Sequence, residues 1–457
     1  MASLLRSSSI SSSTAPDAAR MQPSEQRPAG LLGLSLAGFA EVIRRAGGRE
    51  VLAGRSTSWL KAHVAIPLTA AAGASCMGPC AGVSACDKPY HEHTAQHSEG
   101  CGASFAELLM SAEGGAQLAS VANVFLSHAY DYAFLDAVDA AEAWASRQSE
   151  ARSTFYFYFD LLVVNQHGQN GVVSFDVLRD EFGGGVRGIG NTLFLLDFKN
   201  PVSLSRAWCV FELAVSLVSK ARFEVIMPPR DEAAFQDMLE NNYDDLIYKT
   251  CAVDVEKARA FCPDDLTNIT RMIKEEFGGF LVVNQLVVGA MGEWMASAGQ
   301  AALARLKGDD RSSSQLIARL ASLLRDQGKL SEAEPLYIEA LEGRRLVLGN
   351  DHPNTLNSIF NLANVLQVQG KFYLAEPLYL EALEGRRRIL SNDHPSTLSS
   401  INNLAALMKA QGKLSRADAL YFEALEGRRR VLGNDHPDTL TSINNLANLR
   451  KAHGRLF

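Results

Sequence analysis

The chain has no long uninterrupted apolar run. Its longest weakly polar stretch, Gly278–Ala296, contains Asn284, Gln285 and Glu293, so it reads as a packed helix and no membrane span is expected. Positive charge is not in excess either. Lys and Arg number 44 against 51 Asp and Glu, for a net charge of −7, which argues against a nucleic-acid partner, since such binders carry a basic face. The N-terminus lacks the apolar h-region of a secretory signal. Cysteines are few and odd in number, seven in 457 residues, which points to a reducing compartment and a cytoplasmic location. Apolar content of 47% is ordinary for a globular chain, and the length suffices for two or three domains.

What the chain does have is periodicity. Asn-Asp-His-Pro recurs at Asn350–Pro353, Asn392–Pro395 and Asn434–Pro437, a spacing of 42 residues. Glu-Ala-Leu-Glu-Gly-Arg-Arg recurs with it at Glu339–Arg345, Glu381–Arg387 and Glu423–Arg429, and Gln-Gly-Lys at Gln327–Lys329, Gln369–Lys371 and Gln411–Lys413. A fixed period of this size marks a solenoid of stacked helix pairs. Such stacks present a groove to a partner more often than they perform chemistry. Each unit reads as helix A, a turn at Gly328, Gly370 or Gly412 where φ must be positive, then helix B. The prolines at 353, 395 and 437 start the next helix A, where a missing N–H is tolerated. The spacing predicts three full pairs and a half over 315–457. The last helix A has no helix B beside it, so one of its apolar faces is expected to be exposed.

The preceding region alternates between strand and helix patterns. Residues 1–30, rich in Ser, Ala and Pro, are expected to be disordered. A helical lead-in follows over 31–120, with a helix at Leu31–Ala53. Strands are expected at Val121–Ser127, Thr154–Val164, Asn191–Phe198, Phe223–Met227 and, as an edge, Thr250–Val253. Helices are expected at Tyr132–Trp144, Phe175–Phe182, Leu204–Val218, Asp231–Leu239 and Pro263–Phe277. Gly183–Gly190 reads as a flexible connector, because it does not join a strand to a helix as a phosphate loop does. Alternation of this kind predicts a parallel sheet with helices on both faces over 121–297, followed by a linker at 298–314.

Ligands of open α/β sheets bind beyond the carboxyl ends of the strands. That rule selects His128, Tyr130 and Asp131 after the first strand, Asp160 and then Asn165-Gln166-His167 with the second, Asp197 and Lys199 after the third, and Trp208, Cys209 and Glu212 on the next helix. Glu212 is the only charged residue between Arg206 and Lys220. Half-buried beside an indole, such a carboxyl is held neutral and suits acid–base work or a ribose hydroxyl. The alternative is a structural ion pair with Arg206 or with another nearby basic residue.

A separate segment gathers Cys76, Cys80, Cys86, His91, His93, His97 and Cys101. These ligand types can close a tetrahedral zinc site, but their spacing matches no zinc module. The flanking Gly-Ala-Ser motifs, at 73–75 and 102–104, make the segment read as an insertion or a mis-spliced exon, and no metal is assigned.

The repeat region resembles the tetratricopeptide repeats of kinesin light chain and nephrocystin-type proteins, through the 42-residue period, the Asn-Asp-His-Pro turn and the Asn-Leu-Ala of helix A. The resemblance implies that Asn361, Asn403 and Asn445, with Asn402 and Asn444 beside them, face a groove and grip peptide backbone. Arg319 stands at this position in the first unit. Upstream, Val124-Phe-Leu-Ser-His-Ala-Tyr-Asp131, Asp160–His167 and Arg206-Ala-Trp-Cys-Val-Phe-Glu-Leu213 resemble TIR-like domains of the protist and algal type. That likeness implies a flavodoxin-like parallel sheet and a capacity for self-association. Because many TIR domains cleave NAD with a glutamate at this helix position, it also implies Glu212 as a catalytic group. The NAD pocket would then involve His128, Tyr130, Asp131, Asp160 and Trp208, with NAD as substrate and no resident cofactor. Three uses remain open: an interaction and signalling scaffold with a protein or peptide in the repeat groove, an NAD glycohydrolase regulated by the repeats, and a cargo adaptor of the kinesin light chain kind. No heptads precede the repeats to support the last.

Overall fold

The computed structural model describes residues 31–65, 104, 106, 109, 115–163, 184–251, 253–260, 263–308, 311 and 314–452. Residues 1–30, the Cys76–Cys101 segment, Asn165–His167 and the helix expected at Phe175–Phe182 lie outside these. The described residues divide into two compact units. One takes in those of Ser12–Met238 with Asp244–Trp294, and the other Leu239–Tyr243 with those of Met295–Phe457.

The first unit is built on a mixed sheet of six strands: β1 (Leu32–Leu34), β2 (Ala119–Val121), β3 (Val124–Ser127), β4 (Phe157–Tyr158), β5 (Asn191–Leu195) and β6 (Arg222–Ile226). Their order is β2-β1-β4-β3-β5-β6. The run β4-β3-β5-β6 is parallel, with Phe125 opposite both Tyr158 and Thr192, and Leu193 opposite Glu224. Strand β1 is antiparallel to both its neighbours, so the sheet is mixed and not wholly parallel. Strand β3 is buried throughout and β5 almost so, as expected of central strands covered on both faces.

Several elements depart from the sequence expectation, each for a physical reason. Leu31–Ala53 is not one helix. Leu32–Leu34 pairs with Ala119–Val121, and helix α1 (Leu36–Arg45) begins only after Ser35, whose hydroxyl accepts from Gly38 N–H as an N-cap. The aromatic run from Thr154 yields only the two-residue β4. After it, Asp160 Oδ1 accepts the Leu161 N–H and starts a short helix, α3 (Asp160–Val163), where a strand was expected. Between them in the chain order of helices comes α2 (Phe134–Ser146). Gly184–Ile189 forms helix α4, and Gly190 takes φ +69° before β5. Thr250 and Cys251 belong to a helix and not to an edge strand.

Besides the four-residue helices Arg49–Leu52 and Thr57–Leu60, the remaining helices of this region are α5 (Ala207–Val218), α6 (Pro229–Asn241), α7 (Tyr243–Cys251), α8 (Pro263–Phe277) and α9 (Phe280–Arg305). Helix α9 therefore runs into the stretch read as linker. It is the one helix among the described residues long and apolar enough, by length and composition, to cross a membrane. Val283, Val287 and Met291, spaced by one turn, are fully buried in the core of the α/β unit.

The second unit is a stack of antiparallel helix pairs: α10 (Gln315–Asp326) with α11 (Leu330–Leu348), α12 (Pro353–Val368) with α13 (Phe372–Leu390), α14 (Pro395–Ala410) with α15 (Leu414–Leu432), and then α16 (Pro437–Ala452). Each part of the repeated motif has a visible task. Gly328, Gly370 and Gly412 sit at φ of 78°, 77° and 76°, the left-handed turn that ends each helix A. His352, His394 and His436 accept, through Nδ1, the backbone N–H two residues on, at 3.1, 3.1 and 3.2 Å. The proline that follows each of them is then the first helical residue. Asp351 and Asp393 pair with Arg388 and Arg430 of the next unit. Gly385 and Gly427 face Leu356 and Leu398 so closely that an added Cβ would overlap the leucine side chain. Leu440, at the same position of α16, is 47% exposed where Leu356 and Leu398 are 2% exposed.

Candidate functional sites

Two places gather the residues selected from the sequence. The first lies at the carboxyl ends of β3 and β4. Ser127, the last residue of β3, donates its hydroxyl to Glu212 Oε2 at 2.6 Å. Tyr130 donates to Asp160 Oδ2 at 2.6 Å. The His128 ring stacks on Phe159 at 4.2 Å, with Nδ1 4.0 Å from Asp160 Oδ1 and Nε2 buried without a hydrogen bond. Cys209 donates to the His128 carbonyl. His128, Tyr130, Asp160 and Glu212 are thus brought together. Asp131 stays at the rim, 60% exposed and 3.8 Å from Arg206. Trp208 is half-buried and turns toward the edge of Phe211.

The expectation for Glu212 needs correction in its surroundings. It is buried, not half-buried, and it accepts from the Ser127 hydroxyl rather than pairing with Arg206. Burial pushes its carboxyl up to about 8, against the pull of the Ser127 hydrogen bond and with a further push from the Asp160 charge. It is therefore held neutral near pH 7. Burial likewise depresses the His128 pKa, and it raises those of Tyr130 and Cys209. The Cys209 thiol, kept protonated, is a packing group rather than a nucleophile.

The parallel strand order reverses between β3 and β5, the crevice where such sheets bind ligands. A cleft of about 200 Å³ opens there, lined in part by Asp131, Tyr132, Asp136, Asp197, Asn200 and Arg230. Glu212 is not among the lining residues. The volume is below the roughly 300–1,000 Å³ of small-molecule sites, so this cleft alone does not enclose a dinucleotide. Among the described residues no group of His, Cys, Asp and Glu is arranged to hold a metal ion.

The second place is the exposed side of helices α12, α14 and α16. Here the asparagines form a chain of hydrogen bonds from helix to helix. Asn445 donates to Asn402 Oδ1 at 3.1 Å, Asn402 to Asn403 Oδ1 at 3.4 Å, and Asn403 to Asn364 Oδ1 at 2.9 Å. The Tyr379 hydroxyl closes the chain, 2.5 Å from Asn364 Oδ1 and 2.7 Å from Gln367 Oε1. Asn361 and Asn444 make no side-chain hydrogen bond among the described residues, and both reach the surface. Asn364 and Tyr379 were not selected from the sequence. The available signal was Asn364 lying three residues after Asn361, on the same helical face.

Arginines of the helix B positions, Arg386 and Arg428 buried and Arg344 half-buried, tie neighbouring units together. Arg344, Arg386 and Arg428 reach from helix B to Ser358, Ser400 and Ser442 of the next helix A, at 2.5, 2.5 and 2.7 Å. Arg386 is 4% exposed, stacks on Phe360 at 4.4 Å and donates to Asn357. Burial pulls its pKa down to about 10. Ion pairs repeat with the period at the surface: Lys371 with Glu334, Lys413 with Glu376, Arg345 with Glu381 and Arg387 with Glu423.

The tetratricopeptide repeat family matches residues 312–367 and 356–429. The C-terminal region is thus a tetratricopeptide-repeat array, of a kind that serves protein–protein interaction. Similar solved structures include a Podosopora anserina kinesin light chain-like protein of nearly identical repeats, at 21% identity over 43% of this chain and 90% of that one, with a TM-score of 0.33. A variant of that protein gives 23% identity over 36% and 81%, with a TM-score of 0.34. BtubC (BKLC) from P. vanneervenii is 20% identical over 50% of this chain and 84% of its own, with a TM-score of 0.33. No curated protein matches the chain in sequence.

Proposed function

We propose that the protein is a cytoplasmic interaction and signalling scaffold. Its repeat groove takes an extended peptide segment of a partner, and its α/β unit, read as TIR-like, self-associates. The observation that carries the groove reading is the row of amides on one face. Asn361 and Asn444 have unused donors and acceptors, and each ladder amide keeps spare bonding capacity beyond the bonds above. An amide matches the N–H and C=O of an extended main chain, and its repetition by unit suits a ligand that is itself periodic. Screening the full chain against a library of linear peptides, followed by titration of the best binder into Asn361→Ala and Asn444→Ala variants, tests it. Binding that ignores both substitutions removes the groove reading. A cargo-adaptor role would use this same groove and has no feature of its own.

One specific observation favours a second reading, NAD glycohydrolysis. A carboxyl held neutral near pH 7 stands at the position where the resemblance to TIR domains places the catalytic glutamate. In that reaction nicotinamide leaves through an oxocarbenium-like state. Glu212 would hold the ribose hydroxyls and Tyr130 and Asp131 would line the pocket, after a movement that exposes the carboxyl. Nicotinamide release from NAD by the purified chain, beside a Glu212→Gln control, decides it. No release from folded protein at high concentration removes this reading.

A further inference from the structure

The sheet ends on one side in β6, with no strand beyond it among the described residues. Of the edge strand expected at Thr250–Val253, Thr250 and Cys251 are instead the end of α7. The direction of the free backbone groups follows from the ladder. Arg222 N–H donates to the Gly190 carbonyl and the Ile226 carbonyl accepts from Leu196, both at 3.0 Å. Residues 222, 224 and 226 therefore bond inward to β5. By the two-residue period of a strand, the N–H and C=O of Phe223 and Val225 point outward.

The side chains on this edge are complementary to themselves. Arg222 and Glu224 share one face and pair at 2.5 Å, with Arg222 more exposed than Glu224; on the same face Glu224 Oε2 accepts from Trp144 Nε1 at 3.0 Å and Arg222 donates to Gln148 Oε1 at 3.3 Å. Phe223 and Val225 are half-buried on the other face. When two such strands run antiparallel about a two-fold axis at Phe223, Phe223 faces Phe223 as a hydrogen-bonded pair that exchanges both N–H···O bonds. Arg222 of each copy then lies directly opposite Glu224 of the other, on one face. Val225 N–H meets the Ala221 carbonyl of the second copy. Charged residues usually blunt an open edge because like charges meet on pairing. Here pairing brings opposite charges together.

We infer that β6 is a dimerisation edge, joined to β6 of a second copy of this chain as an antiparallel pair that continues the sheet across a two-fold axis. This rests on the self-association reading above and is independent of what the repeat groove takes. A closed two-fold contact of this kind is self-limiting, so it yields dimers and not fibres.

Sedimentation velocity of the full chain over micromolar to hundred-micromolar concentrations tests the inference, with two sets of variants. Val225→Pro removes one outward N–H and leaves the inward ladder intact, since proline is tolerated on an edge whose N–H faces solvent. It should shift dimer to monomer by roughly tenfold or more in dissociation constant, which corresponds to ~1.4 kcal/mol, with unchanged tryptophan fluorescence and circular dichroism. Arg222→Glu should weaken the dimer through facing carboxylates, and adding Glu224→Arg to it should restore association. Because the swap also restores the pair within each chain, the contact between chains is read by mixing: the Arg222→Glu and Glu224→Arg single variants, each weakly self-associating, should pair with each other, which residues acting only within one chain would not produce. A monomer at every concentration overturns the inference, as does a dimer indifferent to Val225→Pro or a double variant no tighter than the single one. In the first case the groove reading still stands on its own peptide titration. In the other two, self-association stands and its place moves elsewhere.

Discussion

The buried Glu212 makes a quantitative demand on stability. Its carboxyl titrates near 4.5 when solvated and at about 8 in the folded protein. Because the folded-state value is the higher one, the folded protein holds this proton more tightly. The contribution to stability is fully present below pH 4.5 and is lost progressively as pH rises to about 8. The gap of roughly 3.5 pH units, at ~1.36 kcal/mol each, gives a loss on the order of 5 kcal/mol across that window. Glu212→Gln cannot ionise, and its amide oxygen can still accept from Ser127. The stability of the variant relative to the native protein should therefore rise by that order between pH 4.5 and 9, with little change below. His128, whose folded pKa is depressed, costs stability as pH falls through its ordinary range, but equally in both proteins, so it cancels in the difference. Urea unfolding followed by tryptophan fluorescence is the assay. The chain has four tryptophans, and Trp59, Trp144, Trp208 and Trp294 all lie in the α/β unit, so the signal reports that unit and not the repeats. A difference that stays flat with pH would mean that Glu212 is ionised when folded, and would refute the burial argument together with the proton-holding role built on it.

Further outcomes follow from the repeat unit and are read by thermal melts at 222 nm. Gly427→Ala places a methyl against Leu398 and should cost about 1–3 kcal/mol by overpacking, whereas Gly433→Ala, with open space around it but φ of 86°, tests backbone strain alone. Arg386→Ala leaves Ser400, Asn357 and the Ser396 carbonyl without their shared donor and should cost about 2–4 kcal/mol; Arg386→Met, which keeps an unbranched apolar stem, should recover part of that through packing on Phe360. His394→Ala removes an N-cap acceptor and should cost about 1 kcal/mol.

The sequence made some of this legible and concealed the rest, for reasons that can be named. The helix starts at Pro353, Pro395 and Pro437 and the positive-φ turns at Gly328, Gly370 and Gly412 were readable because each rests on a local backbone rule. Strand β1 was not, because three residues hold no periodicity, and Leu32–Leu34 becomes a strand by pairing with Ala119–Val121 and Phe157, 85 or more residues away. Thr250 was misread from its β-branched neighbourhood. In the structure its hydroxyl bonds the Leu246 carbonyl one helical turn back, a local helical contact that propensity does not foresee. For the sites, strand-end reasoning found Glu212 and Asp160 but not Ser127 as the partner, since side-chain pairing depends on how α5 lies over β3. The amide ladder shows the same division. Asn403 and Asn445 were legible by period, while their bonds to Asn364 and Asn402 depend on the register between neighbouring helices.

The groove claim has one direct test: isothermal titration of a selected linear peptide into the full chain and into the Asn361→Ala/Asn444→Ala double variant. The account predicts unchanged folding and at least a tenfold loss of affinity, about 1.4 kcal/mol. Undiminished binding by the folded double variant would contradict it and move the partner's site off the asparagine face.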